Sequence, residues 1–285
     1  MLRSRFQRQA PFLNMHDAVT LFNALKTRPI LGVTCRGKQD GGGAQVHAIL
    51  SAQAFARVAN VPYFHTPLRR VAHAPRFDRR WAAKWEAAFG LSDCHRSATG
   101  TGKIVTSQRF LDEYSGPPPI IEARHFHKFF DADADRYLPL LDEFRASCPL
   151  VVAGKGQTRI AAVHIRRGDV AKPGSEVTRR LTSMDANARA IEIIQATWPG
   201  IEVRVFSQGP PEDFSRLPEG CKFYLDVDVF ETLRQLLNAD VLVTAKSSFS
   251  YVAALLSRGT VIYEPFWHSP LSSWTVRSPD GSFVY

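Results

Sequence analysis

The stretch Ile160-Ala161-Ala162-Val163-His164-Ile165-Arg166-Arg167-Gly168-Asp169 decides how this chain is read. The apolar run Ile160 to Ile165 suits a strand buried on both faces. It ends in two arginines, a glycine that permits a sharp turn, and an acid. Arginine at the carboxyl end of a strand forks onto phosphate oxygens and stays charged at any working pH. The same residues also fit an Arg–Asp ion pair that closes a loop.

Working outward, strands and helices alternate. Met184 to Thr197 has helical spacing and stops at Trp198-Pro199-Gly200. Ile201 to Phe206 alternates like a strand, and Lys222 to Leu225 reads as another. Phe230 to Asn238 reads as a helix, Val241 to Thr244 as a strand, Phe249 to Ser257 as a helix and Val261 to Tyr263 as a strand. This alternation predicts a parallel sheet covered on both faces. The first half is similar in kind: a strand within Pro29 to Cys35, the turn Gly41-Gly42-Gly43, a long apolar helix Ala44 to Asn60 and a strand Val61 to His65. The strongest local break is Ser115-Gly116-Pro117-Pro118-Pro119, where neither helix nor strand continues. A second boundary runs from Cys148-Pro149 to Gly154-Lys155-Gly156. The economical architecture is two α/β halves, 1–150 and 151–285, facing across a cleft, with ligands at the carboxyl ends of strands.

A chain of 285 residues with 45% hydrophobic and 22% charged residues is ordinary globular material, which excludes a disordered chain, a collagen-like repeat and a coiled coil. Against 36 Lys+Arg stand 27 Asp+Glu, a net charge of +9, so an anionic partner is expected. No stretch reaches the roughly 18 apolar residues that a membrane span needs. The basic opening MLRSRFQRQAPFLNMHDAV lacks the apolar core of a secretory signal. Cys35, Cys94, Cys148 and Cys221 are far apart with no CxxC pair and read as reduced, packed thiols. A cytoplasmic protein is expected, with peripheral membrane association left open.

A second informative stretch is Ala239-Asp240-Val241-Leu242-Val243-Thr244-Ala245-Lys246-Ser247-Ser248-Phe249-Ser250-Tyr251. A strand runs straight into a hydroxyl-rich helix start. Ser247 and Ser248 can cap that helix, and its free backbone N–H groups form an anion site; simple capping fits as well. The two stretches together are more specific than either alone.

His164-Ile165-Arg166-Arg167-Gly168-Asp169 resembles the HxRRxD motif of the alpha-1,2-, alpha-1,6- and protein O-fucosyltransferase superfamily. Ser247-Ser248-Phe249-Ser250-Tyr251 with Ala253-Ala254-Leu255 resembles the late SSFSWW-type motif of alpha-1,2-fucosyltransferases. Gly41-Gly42-Gly43-Ala44-Gln45 with Ala54-Phe55-Ala56 is similar to their opening GGLGNQ…YAFA segment. The three patches follow the family's order. The resemblance implies a GT-B fold of two Rossmann-like domains, acceptor side first and nucleotide-sugar side second. It implies inverting, metal-independent transfer of fucose from GDP-fucose to a sugar hydroxyl of a glycan or glycoprotein, with no cofactor beyond the donor substrate. On that resemblance Arg166, with Arg167 beside it, holds the donor diphosphate as it leaves, and His164 lies near the nucleoside. Ser247, Ser248 and Phe249 meet the diphosphate, while Gly42 and Gly43 let backbone amides approach. The family often has a guanine-reading acid where Thr232 stands here; Glu231 is beside it and Asp228 one turn earlier. Tyr251-Val252 replaces the family's paired aromatics. A xylose or rhamnose donor is the alternative within enzymes.

Inverting transfer needs a base for the acceptor proton. Glu176 is the first choice and Asp169 the second; both also fit surface acids. Other signals fall away. Gly100-Thr101-Gly102-Lys103 lacks a phosphate loop's first glycine and its hydroxyl, since Ser97 and Ile104 stand there. Asp131-Ala132-Asp133-Ala134-Asp135 has Arg136 where a calcium loop needs glycine. His125 and His127 read as a polar strand edge rather than a metal site, and Asp226-Val227-Asp228 as a chance match to a metal-holding triplet. The run Arg69-Arg70…Arg76…Arg79-Arg80-Trp81…Lys84-Trp85 is the basis of the rival from another class, a basic nucleic-acid-binding protein. A solvated helix face with inward tryptophans is the plainer reading, and exposed Trp and Arg lining a sugar-binding cleft in an acceptor domain a third.

Overall fold

The computed structural model describes residues 15–37, 40–76, 78–93, 95–152, 154, 156–170 and 180–285. The chain divides into two compact units, one ending at Tyr137 and the other running from Leu138 to Tyr285, with Ala88–Gly90 joining the second. The division lies upstream of the Cys148-Pro149 boundary for a physical reason. Helical residue Arg145 donates to the backbone oxygens of Leu256 and Ser257, at 3.2 and 2.7 Å, which ties its helix to the second unit.

The first unit comprises α1 (Met15–Ala24), β1 (Gly32–Thr34), α2 (Gly42–Val58), β2 (Phe64–His65), α3 (Trp81–Phe89), β3 (Arg96–Ser97), β4 (Ile104–Thr106), α4 (Ser107–Asp112), β5 (Ile120–Glu122) and α5 (His127–Asp131). Strands pair in the order β1-β5-β4 and β2-β3, all parallel. A parallel bridge from Val33 to Tyr63 brings the second pair alongside β1. Helix α2 is buried from Gly42 to Ala56 apart from Ala44, as its all-round apolar sequence requires. The proline-rich break at Ser115–Pro119 is a loop inside this unit, between α4 and β5.

The second unit comprises α6 (Leu141–Ser147), β6 (Ile160–His164), α7 (Met184–Thr197), β7 (Glu202–Ser207), β8 (Lys222–Leu225), α8 (Val229–Asn238), β9 (Val241–Val243), α9 (Ser248–Leu256), β10 (Thr260–Tyr263) and β11 (Thr275–Val276). Its six strands form one fully parallel sheet in the order β11-β10-β9-β6-β7-β8. Counted from the first strand of the unit, this is the 3-2-1-4-5-6 order of a doubly wound nucleotide-binding sheet. The core is laid down by Ala161, Val163, Val203, Val205, Val241, Val243 and Ile262, each at most 2% exposed. Burial of β6 and β9 on both faces is why these segments read as continuous apolar runs rather than alternating ones.

Helix ends follow their caps. The Ser183 hydroxyl accepts from the Ala186 N–H at 3.1 Å to start α7. Past its end, Gly200 takes a φ of +81°, a left-handed conformation that favours glycine.

Candidate anion-binding site

In a doubly wound sheet the chain leaves the central strand in opposite directions, and the loops at that reversal open a crevice beyond the carboxyl ends. Here the reversal lies between β6 and β9, which are hydrogen-bonded neighbours. The two stretches singled out in the sequence therefore leave the sheet side by side. Residues His164 to Gly168 come from β6, and Thr244 to Phe249 from β9.

Contacts between the two confirm the convergence. The Arg166 Nη1 donates to the Lys246 backbone oxygen at 3.5 Å, and the His164 ring lies 5.3 Å from the Phe249 ring. His164 Nδ1 has no solvent access and, among the described residues, no hydrogen-bond partner. Burial, and then the charge of Arg166, push the imidazole pKa down to about 3, so the ring is neutral at working pH. Such a nitrogen is poised to receive or give one hydrogen bond to a bound group.

The turn that carries this corner is specified residue by residue. Ser247 is extended at φ −151° and its hydroxyl accepts from the Phe249 N–H at 3.2 Å, capping α9. Ser250 Oγ bonds both the N–H and the C=O of Ala245, which locks the strand-to-helix turn. Ser248 Oγ lies 3.3 Å from His268 Nε2. The remaining N–H groups of the first turn of α9 carry the partial positive charge of a helix N-terminus. Gly168 takes a φ of +61°, a left-handed conformation that the sharp turn after the arginines reaches most easily with glycine.

Arg167 does not share this corner with Arg166. Its guanidinium pairs with Asp213 at 2.6 Å, a residue of the turn after β7. The loop-closing ion pair is thus made, with Asp213 as its acid. Asp169 lies in a short 3-10 turn, Gly168–Val170, and Glu176 lies outside the described residues. Asp228 caps α8 by accepting from the N–H groups of Phe230 and Glu231, at 2.9 and 3.1 Å. Glu231 pairs with Arg234 at 2.7 Å. Both acids sit at the start of α8 with these partners.

In the first unit, Gly42 and Gly43 open α2 and are buried. A Cβ on Gly42 would come within 2.1 Å of the Trp85 indole, so packing alone calls for glycine there. Trp81 and Trp85 are 8% and 2% exposed and meet edge to face, with ring centroids 6.1 Å apart. Arg69, Arg70, Arg76, Arg79 and Arg80 are exposed, and Lys84 pairs with Asp78 at 2.7 Å. The basic run is a solvated face over inward tryptophans, which leaves those two rings unavailable for stacking on bases.

Several polar residues at the carboxyl ends of β9 and β10 escape the motif-based reading. Lys246 Nζ lies 3.5 Å from Glu264 Oε1. Glu264 also accepts from the Thr182 hydroxyl and from the Arg277 guanidinium, which bonds Asn187 Oδ1 at 3.3 Å in turn. Glu264 and Arg277 are 5% and 2% exposed. Position gives a signal for Lys246 and Glu264, since each follows a buried strand at the end where ligands bind. Arg277 has no such signal.

Among the described residues, Cys148 and Cys221 form no disulfide. Among the described residues, no helix is long and apolar enough to cross a membrane. No protein-family model matches the chain, and no curated protein does. Solved structures do. Escherichia coli heptosyltransferase WaaC with ADP-2-deoxy-2-fluoro heptose is 14% identical, with a TM-score of 0.45 over 87% of this chain and 93% of that one. Fucosyltransferase NodZ from Bradyrhizobium is 13% identical, with a TM-score of 0.38 over 83% and 96%. Arabidopsis thaliana FUT1 in complex with GDP is 9% identical, with a TM-score of 0.42 over 90% and 75%. The solved chains to which this protein is similar include heptosyl- and fucosyltransferases.

Proposed function

We propose that the protein is an inverting, metal-independent glycosyltransferase of the GT-B type, taking its sugar from a nucleoside diphosphate donor, with GDP-fucose as the first choice and a glycan hydroxyl as acceptor. One observation carries the reading. The HIRR and KSSF segments leave the two strands that flank the reversal of a parallel sheet ordered 3-2-1-4-5-6, and they meet there.

The chemistry follows from the groups at that corner. The acceptor oxygen attacks the anomeric carbon, the bond from that carbon to the β-phosphate oxygen breaks, and the diphosphate leaves with its extra charge. Arg166 and the free N–H groups of α9 stabilise that charge, the role usually worth most in such a step. Ser247 already uses its oxygen lone pair on Phe249 N–H, which leaves its hydroxyl proton for a phosphate oxygen. Neutral His164 supplies a hydrogen bond to the nucleoside side of the donor. Glu176, or Asp169 in second place, takes the acceptor proton. The +9 charge excess supports an anionic substrate.

Calorimetric titration with GDP, ADP and UDP, followed by donor turnover with and without a chelator, tests this. Binding of one nucleoside diphosphate and chelator-resistant transfer are expected. Failure of all three to bind overturns the reading. Salt-sensitive RNA affinity unaffected by Arg166→Ala would favour the nucleic-acid rival instead.

A further inference from the structure

We infer that Lys246 is a second cationic ligand for the donor diphosphate, held in reserve by Glu264 until the anion arrives; the inference rests on the nucleotide-donor reading above.

Three features carry it. The first is place: Lys246 follows β9 at the reversal of the sheet, its backbone oxygen accepts from Arg166, and the next residue caps α9. The second is charge. Among the described residues, Lys246 and Arg277 converge on one carboxylate, Glu264, so the cluster holds more positive than negative charge. Arg277, at 1% side-chain exposure, needs that carboxylate, because an unpaired buried guanidinium is costly. Lys246, at 29%, does not need it in the same way.

The third feature is how loosely the lysine is held. Its 3.5 Å contact is the longest that Glu264 makes, and the Oε1 it touches also accepts from the Thr182 hydroxyl. If Lys246 turns to a diphosphate, Glu264 keeps Thr182 and Arg277, so no buried charge is stranded by the exchange. A lysine on a flexible four-carbon stem suits that movement, whereas a guanidinium locked in a fork does not. Arg277 is the structural partner of Glu264 and Lys246 the transferable one.

The test is calorimetric titration of the whole protein with inorganic pyrophosphate and with GDP, on wild type, Lys246→Met, Lys246→Arg and Arg166→Ala. Lys222→Met, which removes an exposed lysine on β8 paired with Glu202, serves as the charge control. Lys246→Met is expected to weaken pyrophosphate binding about tenfold to a hundredfold, the scale of one charge-assisted hydrogen bond. Lys246→Arg, which keeps the charge but not the flexible ammonium, is expected to lose less affinity than Lys246→Met does. The ligand-free melting temperature of Lys246→Met should match that of wild type. If Lys246→Met binds pyrophosphate like wild type while Arg166→Ala does not, Lys246 merely serves Glu264, and the inference fails while the donor reading stands. If wild type binds neither pyrophosphate nor any nucleoside diphosphate, both fail.

Discussion

The two units use the same construction for different ends at their central strands. In the first, β1 and β5 are neighbours, and the carboxyl end of that pair is closed by the Arg36–Glu122 ion pair at 3.0 Å and by Thr34 bonded to Thr66 at 2.8 Å. Glu122 is 4% exposed and brings a negative charge to the centre of that sheet edge. In the second, the equivalent edge between β6 and β9 carries Arg166, Lys246, a helix N-terminus and an imidazole nitrogen that has no partner among the described residues. A wound sheet thus offers a place for a ligand, and the charge installed at the strand ends decides which ligand fits. On the proposed function, the second unit is the one that takes the anion.

The substitutions that break this contrast can be ranked. Arg166→Ala removes the cation at the β6 end and should lower donor turnover about 10²- to 10³-fold in kcat/KM, with the melting temperature close to wild type; steady-state kinetics read it. Breaking the buried pair beside the site is a stability experiment. Arg277→Met strands the Glu264 carboxylate and should cost about 3–5 kcal/mol in urea denaturation. In the first unit, Gly42→Ala drives a methyl into the Trp85 indole and should cost about 1–3 kcal/mol, as read from urea denaturation. Ser247→Ala removes the cap of α9, about 1 kcal/mol of stability, and it should weaken nucleoside diphosphate binding as well, which a capping role alone would not do.

A further expected outcome is a pH dependence. Burial keeps His164 neutral down to about pH 3 in the folded state, while in the unfolded chain it protonates near its ordinary value of 6.5. Its contribution is present in full above 6.5 and is lost as the pH falls from there toward 3, with a slope of at most about 1.4 kcal/mol per pH unit. His164→Phe should flatten that part of the stability profile by this amount, as read from denaturant midpoints at pH 4, 5 and 7.

What the sequence makes legible follows from physical signal strength. Helix α7 runs from Met184 to Thr197 and β8 from Lys222 to Leu225, the bounds that spacing and composition predict, because a capping serine and a Pro-Gly stop frame the former. The parallel second sheet is legible because its central strands β6 and β9 are continuous buried apolar runs and periodic helices separate the strands. Strands β3, β4, β5 and β11 are two or three residues long, too short for any period, and α4 to α6 are fragments of five to seven residues. Of the site, the segments that bear Arg166 and Ser247 stand out because strand, turn and cap chemistry coincide within a few residues. The Glu264–Arg277–Asn187 network does not, since its partners are 13 and 90 positions apart in sequence and meet only after the sheet has formed. Arg167 shows the limit of motif reading. Two adjacent arginines look equivalent in sequence, yet one faces the β9 corner and the other is drawn to Asp213.

The central claim is that the β6–β9 edge of the second unit is a nucleoside diphosphate site. Calorimetric titration of GDP, ADP and UDP into wild type, Arg166→Ala and Glu122→Gln tests it most directly. One of the three nucleotides is expected to bind wild type and Glu122→Gln alike and to lose at least about tenfold in affinity in Arg166→Ala, one charge-assisted hydrogen bond's worth. Nucleotide binding that survives Arg166→Ala unchanged, or that is lost in Glu122→Gln, would contradict it.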